Sequence, residues 1–245
     1  MKINNPNQKN YSNFYTDGIP LALHASEIGA RNIQKHLHQT IPFSSNKKVL
    51  DIACGVSLLG KAFSDHVYAI DTSKEAIKFA QKNNIKARLG NAENRLDYPD
   101  NYFDIVIASQ IIEHLVNPDH LILEARRVLK KGGIIIIVTP NLASWLNRGL
   151  LLLGFQPFFT EVSTFDKTLG IKFTRKFTKV RDTVGHLRIF TLRALKDILE
   201  FHKFKIIKIS GMEFSLFPFP LNLLDITFST VPSFSSIILT VAKKT

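Results

Sequence analysis

Apolar and polar positions alternate along this chain in blocks of two kinds. Residues 22–37 place Leu23, Ile28, Ile33 and Leu37 at helical spacing, which predicts an amphipathic helix. Lys48-Val49-Leu50-Asp51-Ile52-Ala53 is a short apolar run entering a glycine-containing turn, and 58–63 opens a helix beyond it. A second strand at 67–70 closes on Asp71, after which Ser73 offers an N-cap for a helix through Lys82. Glu75 falls in the first turn of that helix, where negative charge suits the dipole. Further strands are expected at 85–89 and 104–108. A helix over 119–130 is expected to stop at Gly132-Gly133, a common C-terminal signal. The run IIIIVT at 134–139 is a fifth strand, apolar throughout because both faces are to be covered.

Pro140 and Asn141 end this rhythm, and 141–190 shows no comparable alternation. It resumes with a helix from Thr191 to His202, a strand at 205–209 and a last strand at 236–242. Strands and helices alternating at this spacing predict an α/β fold: a doubly wound, three-layer, seven-stranded, mostly parallel sheet. The expected organisation is one domain over 1–245. An N-terminal extension and helix occupy 1–40, a core 41–140 and an inserted cap 141–190; residues 191–245 return to the sheet. Segments 141–190 and 211–234 are expected to pack together as the cap.

Candidate chemistry gathers at the carboxyl ends of consecutive strands, where open α/β sheets bind ligands. After the first strand, Asp51-Ile52-Ala53-Cys54-Gly55 pairs an acid with small residues that admit a ligand close to the backbone. Asp71, at the end of the second, can accept both hydroxyls of a ribose. Asn91-Ala92-Glu93, past the third, suits the edge of an adenine. Singly these are a turn residue, a helix cap and a loop former; in order and at this spacing they are a nucleoside site. A dinucleotide is the weaker reading, because the turn offers only Gly55 and Gly60 in place of G-x-G-x-x-G.

In these motifs the chain resembles the class I S-adenosylmethionine-dependent methyltransferases, especially the group acting on small molecules, lipids and glycans. The family's acid and alternating glycines correspond to Asp51, Ala53, Gly55 and Ser57, so one glycine of three is kept. Its ribose acid corresponds to Asp71, and its Gly-Asp-Ala-Glu to Gly90-Asn91-Ala92-Glu93. Residues 104–108 with Glu113-His114-Leu115, and Val128 to Gly133 before IIIIVTP, resemble the fourth and fifth strands with their flanks. The resemblance implies S-adenosyl-L-methionine as cofactor, held by Asp51, Ala53, Cys54, Gly55, Asp71, Thr72, Asn91, Ala92, Glu93, Ser109, Gln110 and His114. It implies methyl transfer by in-line displacement, with positioning supplying much of the rate and His186 or His114 as candidate bases. His186 lies in Gly185-His186-Leu187-Arg188, where the resemblance places the closure of the substrate pocket. A protein that binds the cofactor without transferring methyl is the alternative of another class.

Composition bears on the acceptor. The fourth strand is followed by Ser109-Gln110-Ile111-Ile112 rather than an Asn/Asp-Pro-Pro-aromatic sequence, against amino methylation of DNA bases. The single cysteine, Cys54, sits in the cofactor turn, which leaves no nucleophile for C5-pyrimidine methylation and no disulfide framework or multi-cysteine zinc site. The formal charge is +12, and twelve basic residues against three acids lie between Lys167 and Lys208. Fourteen of the 19 phenylalanines follow residue 150. The basic, Phe-rich half thus meets the acceptor: a small-molecule, lipid-linked or glycan acceptor first, RNA or protein second, with peripheral docking on an anionic membrane also open. For 171–181 the plain alternative is a solvated basic face with Phe173 and Phe177 in a local core. No run of about 18 uncharged apolar residues occurs, so no transmembrane segment is expected. The first fifteen residues lack an apolar stretch, so the expectation is a cytoplasmic protein; no metal site is expected either.

Overall fold

The computed structural model describes residues 19–176, 183–214 and 217–245, with 19–26 as backbone only. Phe177, Lys179 and Arg181 of the basic segment lie outside the described residues. Seven strands form one sheet: β1 (Lys48–Ile52), β2 (His66–Asp71), β3 (Lys86–Leu89), β4 (Phe103–Ser109), β5 (Leu129–Pro140), β6 (Phe204–Met212) and β7 (Ile237–Lys244). Their order is β3-β2-β1-β4-β5-β7-β6. β7 runs antiparallel to both neighbours and every other pairing is parallel. The order reverses between β1 and β4, so their carboxyl ends flank the crevice in which such sheets bind ligands.

The period-2 alternation inside the central strands divides the core into two layers. Val106 and Ala108 of β4 and Ile135 and Ile137 of β5 face a cluster containing Leu121 and Ala125 of α3 (Pro118–Val128) and Leu195 and Leu199 of α5 (Leu192–Phe201). Ile105 and Ile107 with Ile136 and Val138 face the other way, onto Ile33 and Leu37 of α1 (Ile19–Leu37) and onto Leu59 and Phe63. α2 (Lys74–Lys82) covers β2 with Ile77 and Ala80, and Ser73 caps it by accepting the Ala76 N–H. Thr191 likewise caps α5 at Ala194.

Two local expectations are corrected. The region 58–63 forms only a short 3-10 turn, Leu59–Ala62, not a helix. Gly132-Gly133 does not end a helix: α3 stops at Val128, and Leu129 already pairs with Phe103 in the sheet. The glycines serve an irregularity inside β5. Gly132 has φ +77°, and a Cβ on Gly133 would lie 2.9 Å from the Lys130 carbonyl and 3.1 Å from that of Asp104.

Segment 141–190 leaves and rejoins the sheet at one point, because Asn141 and Phe190 bridge in parallel and the Leu142 N–H donates to the Phe190 carbonyl at 2.9 Å. It carries α4 (Trp145–Leu152), whose Trp145 stacks on Phe228 of α6 (Leu221–Ser229) with centroids 5.2 Å apart. The Trp145 indole N–H donates to the fully buried Asp225 at 2.7 Å, and Asp225 also accepts from Ser236 and the Phe214 N–H. One acid thus ties α4, the 214 region and the start of β7 together. Among the described residues no helix is long and apolar enough to cross a membrane.

Candidate active site

A cavity of about 760 Å³ opens over the crevice. On the sheet side it is lined by Asp51, Ala53, Cys54 and Gly55 at the carboxyl end of β1 and by Ser109 and Gln110 at that of β4. α1 adds Gly29, Ala30, Asn32 and Ile33, so the N-terminal helix closes one wall. The opposite wall is aromatic: Phe158, Phe159, Phe214 and Phe217 pack as one group, with neighbouring centroids between 4.7 and 6.1 Å apart. Phe173 lines the same space, packs edge-on against Phe155 and remains 46% exposed, so it is a wall of the cavity rather than a buried core residue.

The backbone at the crevice is strained where a ligand would approach. Ala53 has φ +56°, Gly55 +53° and Gln110 +55°. Alanine and glutamine are held in a region that L-residues rarely adopt, at a cost of roughly 1–2 kcal/mol each. Gly55 turns its N–H to Asp71 Oδ2 at 2.9 Å, while Asp71 Oδ1 accepts the Ser73 N–H at 2.8 Å. Burial still raises the Asp71 carboxyl above its usual range, against those hydrogen bonds. Asp51 is 4% exposed and accepts no hydrogen bond among the described residues. Burial, with the nearby Asp71 second, pushes its carboxyl up to about 8. The Cys54 thiol is pushed up by the same burial and by both acids, so it stays protonated and serves as a small turn residue.

Asp71 stands behind the Gly55 turn and is not itself part of the cavity lining, and the remaining residues expected at the cofactor site lie outside that lining too. Thr72 is exposed beside Asp71, and the Asn91 side chain accepts the Glu93 N–H at 2.9 Å. Ala92 is buried in the core, and Glu93 braces the next loop by accepting the Val116 N–H at 2.6 Å.

Of the two candidate bases, His186 lines the cavity and His114 is buried behind it, with ring centroids 4.7 Å apart. The 184–188 loop is held on both sides. Glu161 accepts the N–H groups of Val184 and Gly185 at 2.7 Å, and the Glu113 carbonyl accepts those of Leu187 and Arg188. His186 Nδ1 lies 2.9 Å from the carbonyl of Phe159, a residue with φ +72°. Burial lowers His114 to about 4 and also lowers His186, so both imidazoles are neutral near pH 7. Glu113 is fully buried and is pushed up to about 8 by that burial. Sequence reasoning assigned no chemistry to Glu113, and Glu161 escaped it altogether. An acid directly before a candidate histidine was the only signal for the first, and nothing local marked the second.

The sequence pattern of the methyltransferase-domain family matches residues 43–168, just over half of the chain. The chain belongs to that family: it is a class I S-adenosylmethionine-dependent methyltransferase. An uncharacterised protein of Methanocaldococcus jannaschii is 36% identical over 99 residues, which are 40% of this chain and 47% of that protein. The ubiquinone biosynthesis O-methyltransferase of Pelagibacter ubique is 29% identical over 178 residues, 70% of this chain and 67% of the relative. Among solved structures, a Thermotoga maritima S-adenosylmethionine-dependent methyltransferase, described as a possible histamine N-methyltransferase, superposes with a TM-score of 0.59. That match covers 97% of this chain and 95% of the other at 17% identity, a likeness of fold.

The residues present fit the cofactor. Asp51 is a buried acid with no hydrogen-bond donor among the described residues, suited to an ammonium group. The Asp71 carboxylate, with about four acceptor sites, has capacity beyond its backbone contacts with Gly55, Ser73 and Thr72, suited to a ribose hydroxyl. The bound cofactor supplies a methyl group on a sulfonium, and the chain supplies position and surroundings.

Proposed function

We propose that this methyltransferase acts on the oxygen of an apolar, lipid-like acceptor. The observation that carries the reading is the cavity itself, which runs from the cofactor turn at Asp51–Gly55 to a wall of phenylalanines and leucines. Apolar burial there would hold the acceptor, at roughly 25 cal/mol per Å² covered, and set it in line with the methyl group. His186 is the one imidazole among the described cavity-lining residues, and it gives the acceptor's polar end a partner. A relative named for O-methylation in ubiquinone biosynthesis supports oxygen as the acceptor atom.

The direct test uses cofactor labelled in the methyl group, the purified protein, and separate lipid, aqueous small-molecule and RNA fractions of a cell extract. Label is expected in the lipid fraction. Label in RNA, with binding lost on neutralising Lys172, Arg175 and Lys176 and steeply salt-dependent, would overturn the reading.

The rim bears on how such an acceptor is reached. Leu152 and Leu153, at the end of α4, are 87% and 72% exposed, and the exposed Lys172 and Lys176 lie in the turn after Ile171. Phe155, shortly after Leu153, packs on Phe173 of that turn with centroids 5.2 Å apart, so exposed leucines and lysines lie on neighbouring segments, which suits docking at an anionic lipid surface. Replacing Leu152 and Leu153 together by Glu is expected to reduce co-sedimentation with phosphatidylglycerol-containing vesicles at least tenfold, with thermal unfolding unchanged. Equal binding by the variant would remove this face from the proposal.

A further inference from the structure

Glu113, His114 and His186 form a cluster of which methyl transfer as described uses only His186. One potential ligand atom from each lies within 4.8 Å of the other two. Two elements create the cluster. The 3-10 turn Ile112–His114 follows β4 and carries Glu113 and His114, and the strap from Leu187 and Arg188 onto the Glu113 carbonyl brings His186 against them.

Three details go beyond proximity. Glu113 is fully buried, and its two oxygens are unequal: Oε2 accepts the Thr139 hydroxyl at 2.9 Å, whereas Oε1 has no hydrogen-bond partner among the described residues. A buried carboxylate oxygen left unpaired costs about 1–3 kcal/mol or more, so such atoms call for a partner. The Phe159 carbonyl fixes the His186 ring. A carbonyl only accepts, so the proton sits on Nδ1 and Nε2 carries the lone pair. The His114 ring is set in the same manner, with Nδ1 at 3.2 Å from the Gly185 carbonyl. A backbone carbonyl on the outer ring nitrogen is the arrangement that orients histidines at metal centres.

We propose that Glu113, His114 and His186 bind one divalent transition-metal ion, of the kind that takes imidazole nitrogen together with carboxylate oxygen, such as zinc, manganese or iron(II). Metal–nitrogen distances of about 2.0–2.1 Å put neighbouring ligand atoms roughly 3.3 Å apart, so small ring rotations close the cluster onto the ion. Three protein ligands leave a coordination position open, and His186 also lines the cavity, so an acceptor oxygen could take it. This last clause rests on the acceptor reading above; ion binding itself does not. On that reading His186 is a ligand and not a base, and the ion polarises the acceptor oxygen.

The test uses protein without an affinity tag, dialysed against EDTA and titrated with zinc or manganese, with elemental analysis after gel filtration and calorimetric titration of S-adenosylmethionine on the same samples. The expected result is one equivalent of metal retained by the wild type. Retention should fall at least tenfold in Glu113→Gln, which keeps an acceptor for Thr139, and in His186→Ala, on a half-buried loop. Both variants should still bind the cofactor. X-ray absorption at the metal edge should show two imidazoles. Substoichiometric retention by the wild type, or equal retention by the folded variants, overturns the proposal. Cofactor binding and lipid labelling in those samples report separately on the acceptor reading.

Discussion

Asp71→Ala is expected to weaken S-adenosylmethionine binding about a hundredfold or more. Asp71 joins the two turns of the site, accepting the Gly55 N–H on one oxygen and the Ser73 N–H on the other. Alanine leaves both donors without their acceptor and releases the Gly55 turn, which lines the cavity. It also removes the carboxylate proposed to hold the ribose hydroxyls. Hydrogen bonds to a charged group are worth about 1.5–3 kcal/mol each, so losing two gives at least two decades in affinity. Asp71→Asn should be nearly as damaging. Both oxygens face backbone donors, so the amide nitrogen must be turned towards one of them whichever way it flips. Calorimetric titration checks both variants, with circular dichroism and thermal unfolding confirming the fold. A folded Asp71→Ala protein whose Kd lies within threefold of the wild type would remove Asp71 from the cofactor site.

The parts of this molecule that are local in sequence were legible there. The strand-end acid of β2, the Ser73 and Thr191 caps and the apolar run of β5 each declare themselves within a few residues, and together they fix the sheet and its crevice. Gly132-Gly133 misled because the same residue type ends helices and relieves crowding in strands. What distinguishes the two is the approach of the Asp104 carbonyl, 29 positions earlier in the chain. The candidate site was half legible for the same reason. The turn at Asp51–Gly55 is one segment, but the cavity's walls come from α1, from Phe158 and Phe159, and from Phe214 and Phe217, brought together through Trp145 and Asp225. The pairing of His114 with His186 depends on hydrogen bonds between Glu113 and a loop more than seventy residues away. No periodicity encodes such a contact. Glu93 shows the converse: its motif resembles an adenine contact, while its carboxylate braces Val116.

Asp51→Asn is expected to stabilise the cofactor-free protein and to weaken cofactor binding, two effects of opposite sign from one carboxyl group. An unfolded Asp titrates near 3.9, whereas burial raises Asp51 in the folded chain to about 8. Between those values the folded state holds a proton that the unfolded state has lost, so stability falls as pH rises from about 4 to about 8. Above that range the buried charge is fully present; below it the group contributes nothing. Asparagine carries no such charge. The difference in Tm between variant and wild type should therefore be negligible near pH 4 and widen to several degrees at pH 8, since 1 kcal/mol corresponds to about 2–4 °C in a chain of this size. The cofactor reverses the balance. A cation placed beside Asp51 favours the ionised form, so binding should expel a proton, and affinity should rise between pH 6 and 8. Titration calorimetry in buffers of different ionisation enthalpy measures that proton directly. The wild type should release up to one, and Asp51→Asn should release fewer and bind at least tenfold more weakly. Equal proton release by the two proteins would show that Asp51 does not face the cation, and a variant no more stable than the wild type at pH 8 would show that its burial carries no electrostatic cost. The cost in the empty protein and the affinity for a cation have one origin, a carboxylate kept from water beside a second acid.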